Sequence, residues 1–282
     1  MVVFPNAKIN LGLNIVSRRE DGYHNIETVF FPVPVFDVLE VTESVLPSDK
    51  RVNLHLYGMP DDGRPNLVEK AYSKLASRYD LPPVDVYLKK NIPFAAGLGG
   101  GSADAAFMLK LLAGKYSLPV TPSELHRFAS EIGADCPFFL YNKPLYACGT
   151  GTELSAASVD LDGLFMAIIK PSVAVSTAEA YSGVTPSEPG YDIKDVLVMP
   201  PCSWRGVLKN DFEESLFIKY PLLRNIKEEL YGLGAVYASM SGSGSAIFGI
   251  FEDGSGIEYA FSGREAIESV SVFRIDSSVL CR

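Results

Sequence analysis

The sequence predicts an α+β protein (a two-layer α/β arrangement) built from two domains. Strand-like segments open the chain, capped helices follow them, and the second half again mixes both kinds of segment. A length of 282 residues allows one large or two medium domains. A small, polar stretch at 153–163 then divides the chain into an N-terminal domain of residues 1–155 and a C-terminal domain of residues 156–282.

The first element is a strand. Along residues 7–16 apolar side chains alternate with others, the period-two pattern of a half-buried strand. An Asp-Gly pair at 21–22 marks a turn after it. Further strands are expected at 27–43 and 51–58, and the two prolines of the former favour an edge strand or a bulge.

A helix at 121–133 carries the clearest boundary signals. Thr121 is the expected N-cap, Pro122 sits at the first helical position, Glu124 completes a capping box and Gly133 ends the helix. The other elements expected in the first half are a helix at 67–80 capped by Asn66, a strand at 84–93, a helix at 102–117 and a β segment with turns at 137–154.

The second half is expected to alternate between the two kinds of element. The expected helices lie near 176–184, through 208–234 and at 263–270, and the expected strands lie at 164–171, 235–240, 246–251 and 271–278. A proline-rich loop runs to Pro201.

The segment PFAAGLGGGSADAA, residues 93–106, places four glycines directly before a helix. Glycine allows close approach to the backbone, and a helix N-terminus offers unpaired N–H groups and a partial positive charge, so the pattern predicts a phosphate cradle. A Walker A loop would need a lysine, and the dinucleotide fingerprint would need glycine where Ser102 stands. The alternative is a flexible hairpin tip.

Three other features are candidate parts of a functional site, and each also has a purely structural explanation. Lys8 and Asn10 leave the same face of the first strand, and from this segment alone Lys8 is expected to be a solvated charge. Asp135 lies among apolar residues at an expected helix-to-strand junction, where a carboxylate needs a partner or a function. The structural alternative is an Asx turn or a helix cap. The small-residue loop within 239–246 is explained equally well as a hairpin turn.

Taken together, AKINLGL near the start, PFAAGLGGGSADAA in the middle and SMSGSGSA near the end resemble the GHMP small-molecule kinases. The resemblance covers nearly the whole chain and implies a two-domain fold with the active site in the cleft between the domains. REDGYH, EIGADCPFFL and IIKPSVAVSTAEAY resemble the branch that phosphorylates a cytidyl-linked sugar alcohol for isoprenoid precursors. Departures from the usual pattern are Ala95, Ala103, Tyr181 and Ser243, and none removes a group that the chemistry needs.

The resemblance also implies roles for residues. Asp135 would be the catalytic base for the 2-hydroxyl of a methylerythritol unit, with Lys8 as its partner. ATP, with Mg²⁺ whose protein ligands are unassigned, would lie against Asn66, Lys90, Pro93, Phe94, Ala95, Ala96, Gly97, Leu98, Gly99, Gly100, Gly101, Ser102 and Ala103. The cytidyl diphosphate substrate would be bound by Asn10, Tyr23, His24, Thr177 and Tyr181, with the two tyrosines stacking on the base.

Composition limits the partners. The net charge of −9 argues against a nucleic-acid partner, and no apolar run is long enough to suggest a membrane partner. Cysteine spacing fits no zinc site and indicates a reducing compartment, so a cytoplasmic enzyme, or the mature form of an organellar one, is expected. The alternatives are a GHMP kinase acting on mevalonate, homoserine or a sugar, and a nucleotide-binding regulator without catalysis.

Overall fold

The computed structural model describes residues 1–44, 50–59 and 65–276. The first half of the chain contains β1 (Val2–Val3), β2 (Asn6–Arg18), β3 (His24–Phe36), β4 (Val38–Glu43), β5 (Val52–Tyr57), α1 (Leu67–Ala76), β6 (Val84–Lys89), α2 (Gly100–Lys115), α3 (Pro122–Ile132), α4 (Cys136–Tyr141), β7 (Leu145–Cys148) and β8 (Glu153–Ala156). The second half contains β9 (Phe165–Pro171), α5 (Thr177–Ser182), α6 (Ile193–Leu197), a 3₁₀ turn (Pro201–Ser203), α7 (Phe212–Lys219), α8 (Pro221–Gly232), β10 (Tyr237–Met240), β11 (Ile247–Phe251), α9 (Ile257–Phe261) and β12 (Ile267–Arg274).

The chain forms two compact units that are not simply its two halves. The first unit combines Met1–Ala7, Val35–Ile92 and Gly99–Asn142, and the second combines Lys8–Pro34, Pro93–Leu98 and Lys143–Arg282. The strands β2 and β3 therefore pass from one unit to the other. The mixture of helices and sheets confirms the predicted fold class.

The first unit is a four-stranded sheet in the order β1-β4-β6-β5, packed with the helices α1 to α4. The sheet is antiparallel except for the parallel pair β5 and β6. One face of β6 is buried through Val84, Val86 and Leu88, which join a core with Tyr72 of α1 and Leu112 of α2. This burial fixes the strand end that leads into the glycine-rich loop.

The second unit contains two further sheets, in the orders β2-β3-β7-β8 and β10-β11-β9-β12. The strand β9 is central to the latter and pairs antiparallel with both β11 and β12. A core that includes Phe212 of α7, Leu230 of α8 and Ile169 of β9 supports this sheet. Between β10 and β11 the hairpin of residues 241–246 is closed by a 2.9 Å hydrogen bond from the Ser241 N–H to the Ala246 carbonyl oxygen.

Several boundary predictions are confirmed. Asn66 caps α1, and its backbone N–H donates to Glu69 at 2.8 Å. Thr121 caps α3, where the Glu124 N–H donates to the Thr121 hydroxyl at 3.3 Å and Glu124 in turn accepts from the Thr121 N–H at 3.0 Å. These caps depend on residues three positions apart, so local sequence was sufficient to find them.

Two predictions of element type are wrong. The apolar residues after Pro137 form the helix α4 rather than a strand, because a short apolar run suits a buried helix as well as a strand and proline is tolerated in a first turn. The segment 263–270 is not a helix: β12 starts at Ile267, where Val270 pairs with Ile169, and the helix α9 lies earlier at Ile257–Phe261.

The prediction for the two prolines of β3 is confirmed only in part. This strand lies between β2 and β7 in the sheet order and is therefore not an edge strand along its whole length. The pairing with β7 covers Thr28 to Phe30 and ends before Pro32, so neither proline interrupts that ladder. Within the described residues no helix has the length and apolar character needed to cross a bilayer.

Candidate active site

The first half of the glycine-rich loop, residues 93–98, is anchored through its carbonyl oxygens. The Ser245 N–H donates to the Ala95 oxygen at 3.4 Å and the Ala246 N–H donates to the Ala96 oxygen at 3.1 Å. Ala95 has a φ of 49°, in the left-handed region that favours glycine. The hairpin between β10 and β11 therefore fixes the path of the loop. Two of the segments that resemble the family, PFAAGLGGGSADAA and SMSGSGSA, thus contact each other directly.

Gly97 is the most constrained position of this loop. Its φ is 73°, and a Cβ built there would lie 1.9 Å from the carbonyl oxygen of Ser241. Its own carbonyl oxygen accepts from the Ser241 hydroxyl at 2.9 Å and from the Lys8 ammonium at 3.1 Å. Only glycine fits this site, for both conformational and steric reasons.

Lys8 is buried, so the expectation of a solvated charge is wrong. The residue is 3% exposed, and its Nζ donates to Asn10 Oδ1 at 2.7 Å and lies 5.1 Å from the centroid of the Phe30 ring. The backbone N–H of Lys8 donates to the Leu98 carbonyl oxygen at 2.9 Å. A buried ammonium needs such partners, and these partners join the strand β2 to the glycine-rich loop.

Asn10 continues this polar network. Its Nδ2 donates to Thr28 Oγ1 at 2.9 Å, and the Thr28 hydroxyl donates to the Gly12 carbonyl oxygen at 2.5 Å. Asn10 and Thr28 are both buried. The bonds fix the orientation of the Asn10 amide, whose oxygen then faces the Lys8 ammonium.

The second half of the loop becomes the start of α2 in the first unit. Gly99 occupies the N-cap position with a φ of 72°, and the helix runs from Gly100. The N–H groups of a first helical turn have no partner inside the helix and carry partial positive charge. This helix start, after a glycine-rich segment, has the chemistry of an anion site.

Asp135 lies between two helices, and the predicted helix-to-strand junction is wrong. It holds the N-cap position of α4, half-buried, two residues after Gly133 ends α3. The next residue, Cys136, is fully buried, and this burial raises the pKa of its thiol to about 12. The thiol is therefore protonated at neutral pH, which leaves Asp135 as the ionisable candidate at this junction.

The predicted nucleotide residues Asn66 and Lys90 belong to the first unit. The side chain of Asn66 caps α1: its Oδ1 accepts a hydrogen bond from the Val68 N–H at 3.1 Å. The Lys90 ammonium contacts the carboxylates of Asp37 and Asp104, so its charge is offset within the protein.

The aromatic residues of the predicted substrate set belong to the second unit. The His24 and Tyr181 rings are stacked with centroids 4.7 Å apart and planes inclined by 20°, and Phe212 meets Tyr181 edge-on at 4.9 Å. Burial, followed by the charge of Arg18, lowers the pKa of His24, so its ring is neutral at pH 7. Tyr23 is 68% exposed on the turn before β3.

Thr177 begins α5, the helix that carries Tyr181, and its hydroxyl lies 3.4 Å from the Ser243 hydroxyl in the β10–β11 hairpin. The second unit thus brings together Lys8, Asn10 and Gly97 around one network, and Thr177 contacts the same hairpin that anchors the loop. Asp135, Asn66 and Lys90 lie in the first unit with the start of α2.

Sequence reasoning missed four residues that support these positions. Thr28 orients Asn10, Ser241 binds Gly97, and Asp37 and Asp104 pair with Lys90. One signal was present: Asp104 is the sole charged residue in SADAAFM, a segment whose alanines predict burial. The other three depend on distant pairing and carry no local signal.

Comparisons with known proteins agree with this arrangement. The family description "GHMP kinases N terminal domain" matches residues 66–143 and "GHMP kinases C terminal" matches residues 203–261. A 4-diphosphocytidyl-2-C-methyl-D-erythritol kinase of Parabacteroides distasonis is 51% identical over 254 residues, which cover 89% of this chain and 92% of the relative.

Solved structures give the same result for the fold. A crystal structure of 4-(cytidine 5'-diphospho)-2C-methyl-D-erythritol kinase matches with a TM-score of 0.80 and 31% identity, covering 96% of this chain and 98% of that one. A mevalonate kinase structure matches with a TM-score of 0.71 and 12% identity, covering 97% of this chain and 98% of that one, which is a likeness of fold alone.

Proposed function

Since the chain belongs to the GHMP kinase family, we propose that it transfers the γ-phosphate of ATP to the 2-hydroxyl of 4-diphosphocytidyl-2-C-methyl-D-erythritol. This reaction lies in the non-mevalonate route to isoprenoid precursors. The observation that carries the proposal is the anchored glycine-rich loop, whose carbonyl oxygens are bound by Lys8 and the β10–β11 hairpin directly before the start of α2. The substrate is proposed from the relatives, which share about half of their residues with this chain.

ATP would place its phosphates against residues 93–103, with the adenosine towards Asn66 and Lys90. Helix-start N–H groups suit the phosphate oxygens, and phosphoryl transfer is largely positioning and charge stabilisation. Among the described residues no group of three or more His, Cys, Asp or Glu side chains could hold a metal ion. Mg²⁺ is proposed to accompany ATP and would neutralise charge on its β- and γ-phosphates.

Asp135 would accept the proton of the attacking hydroxyl, a tertiary alcohol and a weak nucleophile. Lys8 would be the partner of Asp135 and would offset negative charge on the reacting oxygen. The burial of Lys8 supports this role, because an ammonium that has left water exerts a stronger field on its neighbours than a solvated one.

The cytidyl group would be recognised in the second unit. The stacked pair of Tyr181 and neutral His24, with exposed Tyr23 nearby in the chain, supports an aromatic site for a pyrimidine. Asn10 and Thr177 would contact the remainder of the substrate.

The compartment and the class of partner are proposed from composition. The free thiols of Cys136, Cys148 and Cys202 support a reducing compartment, which we propose to be the cytoplasm. The net charge of −9 supports a small molecule rather than nucleic acid as the partner.

The direct test mixes purified protein, Mg-ATP and the cytidyl substrate and follows the reaction by phosphorus NMR. A new phosphomonoester resonance on the cytidyl substrate, with release of ADP, is the expected result. A panel containing mevalonate, homoserine and a hexose provides the control. Phosphorylation of a panel member in preference to the cytidyl compound, or ATP binding without any transfer, would overturn the proposal.

A further inference from the structure

A buried cluster of three ionisable side chains lies beneath the start of α2. The Lys90 Nζ contacts a carboxylate oxygen of Asp37 and lies 2.5 Å from Asp104 Oδ2. The exposed fractions of the side chains are 9% for Lys90, 0% for Asp37 and 2% for Asp104. Two carboxyl groups thus share one ammonium, and the other Asp104 oxygen, Oδ1, is buried without a hydrogen-bond partner among the described residues.

The cluster holds backbone as well as side chains. Asp37 Oδ1 accepts from the N–H groups of Asn91 at 2.6 Å and Ile92 at 2.9 Å, the two residues that leave β6 for the glycine-rich loop. Lys90 extends this attachment to Asp104 in the second turn of α2. The chain is therefore fixed on both sides of the loop by one set of contacts.

Gly100, the first residue of α2, packs closely against Ile92 and Lys90. A Cβ on this residue would lie 3.0 Å from Ile92 Cγ2 and 3.3 Å from Lys90 Nζ. The first helical residue of α2 therefore sits directly against the cluster. A shift of the ammonium by less than an ångström would move the helix start or open a gap under it.

Stability alone does not account for such a cluster. Burying charges is costly, and apolar side chains of similar volume commonly give equal or greater stability. What charged groups add is a defined geometry, because their bonds are directional and a lost partner leaves a charge buried and unpaired.

On the basis of the proposed function, we propose that Asp104 and Asp37 are positioning residues for ATP: through Lys90 they hold the N-terminus of α2 at a fixed distance from the end of β6. The phosphate-binding N–H groups are then in place before the nucleotide arrives, which lowers the ordering cost of binding. Lys90 would thus also act on the nucleotide through this placement, in addition to its proposed position on the adenosine side.

The test compares Asp104→Ala with the conservative Asp104→Asn in the full-length protein. Alanine removes the contact with Lys90 but leaves the Lys90–Asp37 pair intact, whereas the asparagine oxygen can still accept from the ammonium. Asp85→Asn is the matched control, since Asp85 lies at the other end of β6 and accepts from Asn53 Nδ2 at 3.0 Å. Asp104→Ser provides a second variant if the alanine protein does not fold, since the serine hydroxyl is also too short to contact the Lys90 ammonium.

We expect Asp104→Ala to weaken Mg-ATP binding about tenfold in calorimetry and to raise the KM for ATP similarly, with the KM for the alcohol substrate changed less than about twofold. Amide hydrogen exchange at 99–103 in the nucleotide-free protein should accelerate about tenfold or more. Asp104→Asn and Asp85→Asn should stay near the wild type in both measurements.

Unchanged ATP affinity and unchanged exchange at 99–103 in a folded Asp104→Ala or Asp104→Ser protein would overturn the inference, even if its melting temperature falls. Failure of the proposed function gives a different pattern, in which the wild type itself transfers no phosphate. The exchange measurement needs neither ATP nor turnover, so it separates the two outcomes.

Discussion

The buried ammonium of Lys8 donates a 3.1 Å hydrogen bond to the carbonyl oxygen of Gly97, 89 residues further along the chain. The Ser241 hydroxyl donates to the same oxygen at 2.9 Å. One main-chain oxygen therefore joins the first long strand, the glycine-rich loop and the hairpin between β10 and β11. Lys8 thus has two contributions that can be separated by experiment, the placement of the loop and the positive charge.

Replacing Lys8 with Ala is expected to lower kcat about 10²-fold or more, because the positive charge that is proposed to stabilise the reacting oxygen is lost. It should also destabilise the fold by about 1–3 kcal/mol, since Asn10 Oδ1 loses its buried donor. ADP release and urea unfolding measure the two effects. Lys89→Ala, an exposed change, is the control and should stay within about 0.5 kcal/mol of the wild type. Unaltered turnover in Lys8→Ala would exclude the proposed role.

Asp135→Asn tests the proposed base. The amide keeps the size of the side chain and remains acceptable at the N-cap of α4, so the fold should be preserved. It cannot accept a proton, and kcat should fall about 10²-fold or more while the dissociation constant for ATP stays the same. Single-turnover kinetics and calorimetry make this comparison. Near-wild-type kcat would show that another group takes the proton.

Gly97→Ala separates conformational strain from steric conflict. The new Cβ would meet the Ser241 carbonyl oxygen at 1.9 Å, whereas at Gly206, with a φ of 82°, a Cβ would meet no atom within 4 Å. Gly206→Ala should therefore cost about 1–2 kcal/mol, the penalty of the left-handed region alone. Gly97→Ala should cost more and should abolish ATP binding. Equal losses in urea unfolding would mean that the contact with Ser241 relaxes easily.

Tyr181→Ala tests the proposed pyrimidine site. The stacked partner of His24 is removed, so the KM for the cytidyl substrate should rise about tenfold while the KM for ATP changes little. Tyr181→Phe keeps the ring and should restore most of the affinity. Tyr259→Ala, at a side chain that is 91% exposed, is the control. An equal rise in both KM values for Tyr181→Ala would indicate a structural role for the ring.

The sequence predicted the elements whose signals are local. The capping box of Thr121 and Glu124 needs only three residues of separation. The alternation of Ile9, Leu11 and Leu13 predicted the strand correctly but not its burial, since β2 is buried on both faces rather than on one. The run after Pro137 failed because its length and composition suit a strand and a buried helix equally. The four glycines before a helix predicted a phosphate loop from local sequence, and the family resemblance then assigned this loop to ATP.

Burial of charge could not be predicted in the same way. The buried Lys8 ammonium donates hydrogen bonds to Asn10 and Gly97, and Gly97 is remote in sequence. The pairing of Lys90 with Asp37 and Asp104 likewise joins a strand end, a loop and a helix. Such contacts depend on how the chain folds back on itself, so residue type and spacing alone favoured a solvated Lys8 and gave no indication of the partners of Lys90.

The pH dependence of stability should reveal the protonation of Asp104. Burial, opposed by the Lys90 charge and reinforced by Asp37, raises the pKa of Asp104 to about 8 from an ordinary value of 3.8. Between these values the folded protein holds a proton that the unfolded chain releases. The free energy of unfolding contributed by this group should therefore fall as the pH rises from about 4 to about 8, and then level off.

Asp104→Asn mimics the neutral acid at every pH and should lack this fall. In urea unfolding the variant should match the wild type near pH 5 and exceed it near pH 8.5 by about 1 kcal/mol or more, since one pKa unit corresponds to about 1.4 kcal/mol. Asp85→Asn should retain the wild-type slope, because its carboxylate lies at the other end of β6. Parallel curves for the wild type and Asp104→Asn across this range would mean that Asp104 stays ionised in the folded protein beside the Lys90 ammonium.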